Sequence, residues 1–422
     1  MILHLPLKSV LAGIIGNVMD WYDFALYGFM ATIIARLFFP TDNQMASLIA
    51  TYGIFAAGFI MRPIGAVFFG RLGDKVGRSR TMLISVIMMV IPTFCLGLLP
   101  TYEKIGILAP ILLIIIRLIQ GVSVGGEFSS SATFLVETAP KNKRGISGSW
   151  ANFGSTLGVL LGSGMATLTI SLLDDTVVMA WAWRLPFLFG GLLGCLAIYL
   201  RIGLPKSKHF QDHLQNKPKE SPLKAVFTTG LKEMIQGFLF AASYGVIYYS
   251  TMVYLPTWVS NQTSITLKQS MLFNTMTSIV VVPLIILAGW ISDRYIKRTH
   301  FIALSIGFCV ALGIPAALWM ASGSVVAAFT CQLIFGILMA IPLGIAPTLL
   351  VELFPTSRRL TGYSISFNLG MGIIGGTTPM IVTWLIATTD NSIAPALYML
   401  FWGIIAVITL IWMRDRSREP LR

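Results

Sequence analysis

Apolar residues run in long blocks from one end of the chain to the other, with short polar stretches between them. A helix needs roughly 20 apolar residues to cross a bilayer. The pattern predicts twelve such spans, at 9–38, 47–70, 81–99, 107–139, 146–172, 182–203, 231–260, 268–291, 300–320, 325–353, 361–388 and 394–413. One long polar segment, "LPKSKHFQDHLQNKPKESPLK" at 204–224, separates the sixth from the seventh. The expected architecture is an all-α membrane protein of two six-helix halves, 1–203 and 231–413. A linker at 204–230 joins them and a tail at 414–422 follows. Met1–Pro6 is too short to precede the first span as a cleavable signal.

Composition agrees. The chain is 55% hydrophobic and 11% charged, against roughly 25% charged in soluble domains, which excludes a soluble fold. The net charge of +13 falls on one side of the spans: Lys8, the Arg71–Arg80 loop, Lys141, Lys143, Arg144, the 201–232 segment, Arg294, Lys297, Arg298, Arg358, Arg359 and the tail from Arg414. By the positive-inside rule both termini and the linker are cytoplasmic. The charge then faces anionic lipid rather than nucleic acid. Cys95, Cys195, Cys309 and Cys331 lie in apolar runs without CxxC spacing and read as small hydrophobes. His209 and His213 have metal-ligand spacing but stand in a lysine-rich linker without acidic neighbours. No metal, cofactor or nucleophile–base constellation is expected, and the chain does not read as an enzyme.

The two halves repeat. "GRLGDKVGRSR" (70–80) is echoed by "GWISDRYIKR" (289–298). Gly121/Gly336, Glu137/Glu352, Pro140/Pro355 and Arg144/Arg359 are each separated by 215 residues. This is the parallel repeat of secondary transporters, whose site lies near the midplane between halves. Gly70, Asp74, Gly77, Arg78 and Arg80 in the first repeat, and Asp293, Arg294 and Arg298 in the second, read as a conformational latch. Glu137 with Arg144, and Glu352 with Arg359, would form its other ends.

Charged and polar residues within spans mark the chemistry. At about 100° per residue Gly13, Gly16, Asp20, Asp23 and Tyr27 share one arc of the first span. Carboxylates at that depth are costly and usually mark an ion or substrate path; the alternative is a hydrogen-bond anchor between helices. Arg117, Gln120, Val124, Glu127 and Ser131 share an arc of the fourth span. Asp20, Asp23, Glu127 and Arg117 are therefore the candidate proton-coupling residues, Asp23 foremost, with a packing lock as the alternative for Arg117. Arg62 offers another cation or a snorkelling side chain. The second half is aromatic and polar instead. Tyr244, Tyr248, Thr251, Asn274 and Asn368, with Tyr27, Gln120 and Trp150, are the candidate substrate-binding residues. Tyrosine faces hold ammonium groups by cation–π attraction, or simply pack.

The motifs resemble a known family. "GRLGDKVGRSR" and "RLIQGVSVGG" (117–126) are similar to signatures of the major facilitator superfamily. "GNVMDWYDF" (16–24), "RPIGAVFFGRLGD" (62–74), "GGEF" (125–128) and "WAWRLPF" (181–187) resemble its metabolite:proton symporters, among them proline/betaine, α-ketoglutarate, citrate and shikimate permeases. "GSWANFG" (148–154) and "YYSTMVYLPTWVS" (248–260) are most similar to the proline/betaine branch. The resemblance implies a monomeric, proton-driven importer of a small polar metabolite in a bacterial inner membrane, working by alternating access. A zwitterion is the first expectation and a mono-, di- or tricarboxylate the second. A proton/drug antiporter is less favoured, because "GSTLGVLLGSG" (154–164) lacks the proline of that group's motif. Two departures stand out: Asp20 replaces the family's usual Glu, and nine residues follow the last span where some members carry a coiled coil. Osmotic sensing of that kind is not expected.

Overall fold

A computed structural model describes residues 7–40, 44–202 and 226–421. Most of the expected linker, with His209 and His213, lies outside them, as does His4. Every regular element among the described residues is helical. In chain order they are α1 (Leu7–Phe29), α2 (Ala31–Phe38), α3 (Gln44–Val76), α4 (Arg78–Leu98), α5 (Tyr102–Ile105), α6 (Leu108–Thr138), α7 (Arg144–Leu172), α8 (Asp175–Val177) and α9 (Arg184–Arg201). They continue as α10 (Leu231–Tyr248), α11 (Leu255–Gln262), α12 (Leu267–Arg294), α13 (Arg298–Met320), α14 (Val325–Leu353), α15 (Arg359–Phe367), α16 (Thr378–Thr389) and α17 (Ala394–Trp412). Three π-helical stretches, Val178–Ala182, Tyr249–Tyr254 and Asn368–Gly375, lead into α9, α11 and α16. Among the described residues ten helices, joined across these π turns where needed, are long and apolar enough to cross a membrane. The two remaining expected spans are filled by α3 and by α1 with α2, which part at Met30.

Helices suit this chain because a bilayer leaves every backbone N–H and C=O to be satisfied within the segment. Large apolar side chains such as Ile60, Leu172 and Ile411 point outward, as lipid-facing positions do. The breaks have local causes. Gly77 adopts φ +97° between α3 and α4, a conformation that side-chain-bearing residues rarely take. That one residue turns the chain, while its carbonyl accepts from the Thr81 amide and hydroxyl.

The chain divides into two compact units. The first comprises 1–135 and 154–215, the second 136–153 and 216–422. In the first, glycines set helix spacing. A Cβ built on Gly65 would meet the Val122 carbonyl, one on Gly121 the Gly58 carbonyl, and one on Gly125 the Arg62 carbonyl. So α3 and α6 touch backbone to backbone, as small residues allow in membranes. Gly154, Gly158 and Gly162 on α7 bring it equally close to the backbone of α1. One end of this unit closes over an aromatic core of Tyr22, Phe38, Trp183 and Phe187, with the Tyr22 hydroxyl donating 2.6 Å to the Pro186 carbonyl.

In the second unit α14 packs along α12, with Gly336 against Thr277 and Gly344 against the Ile285 carbonyl. Its charged end is tied to the tail. Asp415 accepts from the Thr299 amide at the start of α13 (3.0 Å) and from the Ser417 amide and hydroxyl. Burial pushes its carboxyl up, but the Ser417 and Thr299 donors and the Arg298 charge outweigh that and hold it below the usual range.

Candidate functional site

Within the first unit, α1 presents Asp20 and Asp23 one turn apart, α4 presents Thr93, and α6 presents Arg117 and Gln120. Asp23 is fully buried and saturated: Arg117 Nη1 donates to Oδ2 at 2.6 Å, while Gln120 Nε2 and Thr93 Oγ1 each donate to Oδ1 at 3.0 Å. Such charge-assisted bonds are about twice as strong as neutral ones. Gln120 Nε2 also lies 2.8 Å from Thr93 Oγ1. The amide nitrogen faces a carboxylate, so the orientation of Gln120 follows from its partner. Tyr27 backs the pair, its ring centroid 3.7 Å from the Arg117 guanidinium carbon, and its hydroxyl donates to the Thr51 carbonyl at 3.2 Å.

These groups border a small cavity of about 20 Å³ that Asp20, Phe24 and Arg62 also line. The glycines of α3 and α6 make the space: Gly58 and Gly121 lie on its wall. Arg62 spreads over the Phe59 and Phe24 rings, 4.2 and 5.3 Å from their centroids. Asp20 is 4% exposed and accepts no hydrogen bond among the described residues. Arg117 Nε and Nη2 and Gln120 Oε1 are buried without partners. The cavity thus holds two carboxylates, two guanidiniums and several polar atoms with unused capacity, in a place where an unmade hydrogen bond costs about 1–3 kcal/mol.

Glu127 belongs elsewhere. One turn past Val124 it meets Arg201, the last residue of α9, in a doubly bonded pair; Nη1 lies 2.8 Å from Oε2, and Nη2 reaches Oε1. Ser85 also donates to Glu127. Arg201 also donates to the Ala12 and Met82 carbonyls, at 3.0 and 2.6 Å. The pair therefore ties α1, α4, α6 and α9 together. Gly16 makes room for it, because a Cβ there would strike both side chains. By sequence Arg201 belongs with the basic linker, yet it is 1% exposed. Ser131, on the same arc, accepts from Asn17 Nδ2 at 2.6 Å.

In the second unit Tyr244 and Tyr248 form a ladder with Phe240 and Tyr249, at centroid distances of 6.1, 6.5 and 5.4 Å. Thr251 leaves that face. Its hydroxyl donates to the Ile247 carbonyl at 2.7 Å, and it borders a separate apolar cavity with Tyr254 and Trp258. Asn368 opens the third π stretch and donates to the Ser364 carbonyl at 2.9 Å. Trp150 is half-buried and meets Phe153 edge-on at 4.9 Å. Asn274 is half-buried on α12. Gln120 is thus the one candidate substrate-binding residue on the wall of the Asp20–Asp23 cavity.

The latch residues pair differently from their order in the sequence. Glu137 takes Arg359 at 2.7 Å, and Glu352 takes Arg144 at 2.9 Å. Arg298 bridges Glu352 and Asp293 at 3.1 and 2.6 Å. Asp293 also accepts from the Gly145 and Ile146 amides at the start of α7, at 2.7 and 2.9 Å. Arg144 reaches the Ser417 and Glu419 carbonyls of the tail, at 3.0 and 2.6 Å. Arg294 stacks on Trp290 instead of joining Asp293. In the first unit Gly70 and Asp74 are buried near the end of α3, Arg80 is exposed, and the side chain of Arg78 lies outside the description. Among the described residues no three His, Cys, Asp or Glu side chains converge to hold a metal ion.

Membrane-spanning helices that enclose paired charges define a multi-pass membrane transport protein. The chain belongs to the Major Facilitator Superfamily, whose family model matches residues 13–379 and 238–422. It is 32% identical to the proline/betaine transporter of Escherichia coli strain K12 over 426 residues, 98% of this chain and 85% of that protein. It is 33% identical to the glycine betaine/proline/ectoine/pipecolic acid transporter OusA of Dickeya dadantii, covering 98% of this chain and 84% of that one. Among solved structures it superposes on the proton:xylose symporter XylE of E. coli with a TM-score of 0.78 at 17% identity, over 96% of this chain and 94% of that one. That likeness is one of fold.

Proposed function

We propose that the chain is a proton-driven symporter importing a small zwitterion of the proline/betaine class across a bacterial inner membrane. Its termini are cytoplasmic, it works as a monomer, and it transports its substrate unchanged without a cofactor. The two six-helix halves, 1–203 and 231–413, alternate access. One observation carries the reading: the cavity wall balances Asp20 and Asp23 against Arg62 and Arg117. A net-neutral, dipolar wall suits a zwitterion, whereas a di- or tricarboxylate calls for excess cation.

The coupling follows from Arg117. While Asp23 is ionised it holds the guanidinium at 2.6 Å. A proton on Asp23 releases the guanidinium to take the substrate's carboxylate in its place. Proton and substrate then favour each other's binding, and the linkage is reciprocal. Asp20 stays to face the substrate's ammonium.

The test is uptake of labelled proline and glycine betaine into proteoliposomes under an imposed inward proton gradient. The expected result is gradient-driven accumulation in the wild type. In Asp23→Asn accumulation is lost while exchange of internal for external substrate persists. Wild-type uptake indifferent to the gradient for every zwitterion and carboxylate offered sinks the reading.

A further inference from the structure

The tail beyond α17 is docked at two places that belong to different halves of the sequence. Helix α13 begins without a side-chain cap of its own, since Lys297 offers none. Asp415 caps it from the tail, accepting from the Thr299 amide at 3.0 Å and from the Thr299 hydroxyl at 3.3 Å. A carboxylate there meets unpaired amides and the positive end of the helix dipole. The same side chain turns the tail back by accepting from the Ser417 amide and hydroxyl. Glu419 closes the hook: its amide donates to the Arg416 carbonyl at 3.0 Å, and its carboxylate takes Arg414 and Arg416 at 2.6 and 3.3 Å. So folded, the tail points its Ser417 and Glu419 carbonyls at one buried guanidinium, that of Arg144, at 3.0 and 2.6 Å.

Arg144 opens α7 and so belongs to the first six spans, whereas α13 and the tail belong to the last six. Its Nε donates to the Lys141 carbonyl and its Nη1 faces Glu352, which leaves Nη2 to the tail alone among the described residues. The stretch around it, 136–153, groups with the second compact unit rather than the first. Asp293, Glu352 and Arg359 hold it there. We propose that the tail is a strap across the cytoplasmic gate, biasing the carrier against opening on that side by tethering Arg144 to α13. The strap rests on the alternating-access reading above, in which 136–153 must part from α12–α15 for the substrate to leave. In that step Arg144 gives up Glu352 and both tail carbonyls together. Hydrogen bonds to a charged donor are the strong ones. These two exist only while the gate is closed, so they add their whole strength to the closed state. Asp415 and Thr299 move with the same half. The hook therefore stays folded when the gate opens, ready to take Arg144 again on closing.

Ser149 reports the gate, being fully buried near the start of α7 against Gly289 of α12. Ser149→Cys is introduced into a chain whose Cys95, Cys195, Cys309 and Cys331 are replaced by alanine. Its alkylation by a membrane-permeant maleimide is timed in proteoliposomes, beside gradient-driven uptake of labelled proline. The strap is broken in two ways, by Asp415→Ala in the full chain and by ending the chain after Met413. The expected result is labelling faster by at least about fivefold in both. Ser305→Cys, buried on α13 itself, is expected to stay as unreactive as in the parent. Unchanged or slower labelling at Ser149→Cys overturns the proposal, whatever the thermal unfolding temperature does. Labelling that rises equally at Ser305→Cys assigns the effect to general loosening of the second half and overturns it as well. Uptake indifferent to the proton gradient removes the symporter reading instead, while the labelling rates still decide the strap.

Discussion

Asp23 and Glu127 are both buried acids paired with arginine, yet they sit in opposite situations. Asp23 borders a cavity, and its partner Arg117 retains two unused nitrogens. Glu127 is sealed, and its partner Arg201 is bonded to Glu127, Ala12 and Met82. The first pair is built to be broken and the second to hold. Breaking a buried pair by removing one partner costs about 3–5 kcal/mol, whereas replacing both with apolar residues is often tolerated. Glu127→Gln should therefore lower the thermal unfolding temperature in detergent sharply, and Glu127→Leu with Arg201→Met should recover most of it. Loss of proton coupling in Glu127→Gln at unchanged stability contradicts that division. The sequence pattern placed Asp20, Asp23, Arg117 and Gln120 on facing stripes, since helical periodicity alone sets which residues share an arc. It did not reveal Arg201. A basic residue at the end of a span, beside a lysine-rich segment, looks like an interfacial charge until packing shows otherwise. The one hint was Gly16, whose missing side chain leaves the space the guanidinium fills.

At the scale of elements, α3 and α6 depend on glycine more than on side-chain interlock. The "RLIQGVSVGG" stretch was legible as a motif, but not as the reason for it. Gly121 and Gly125 let α6 lie against the carbonyls of Gly58 and Arg62, and that approach sets the width of the cavity. Gly121→Val should push the helices apart, at a cost of about 1–3 kcal/mol for overpacking. The expected readout is weaker substrate binding by calorimetry in protein that still reaches the membrane; unchanged Kd counts against the glycine contact as the cavity's gauge. Span 7 shows where periodicity runs out. An arc through Tyr244, Tyr248, Thr251 and Leu255 assumes an unbroken α-helix. The chain instead widens into a π-helix at Tyr249, each turn of which takes an extra residue. Thr251 is thereby carried off the tyrosine face. The periodicity of apolar residues does not mark that change of pitch.

For the whole molecule, twelve spans, the repeat and the family were legible, because apolar length and a common residue offset survive without any knowledge of packing. What the repeat concealed was its pairing. Neighbours in sequence, Glu137 with Arg144 and Glu352 with Arg359, suggested two local pairs, whereas each acid takes the arginine from the other repeat. A charge swap tests this directly. Glu137→Arg alone should abolish uptake, and adding Arg359→Glu should restore a measurable part of it. Adding Arg144→Glu instead should not, since that arginine serves Glu352 and the tail. Rescue by the sequence neighbour rather than by Arg359 refutes the crossed arrangement.

Crossed pairing has a consequence for symmetry. Where residue i of one copy meets j of the other, and j meets i in return, the contact is isologous, as in a twofold homodimer. Arg144 with Glu352 and Arg359 with Glu137 have that form inside a single polypeptide. A six-helix unit pairing with its own copy would need only one acid and one arginine to make both bridges. The two bridges nonetheless differ in their surroundings: Glu352 also holds Arg298, which reaches Asp293, and Arg144 also takes the tail carbonyls. The crossed pair keeps a twofold form, and the additions around Glu352 break it.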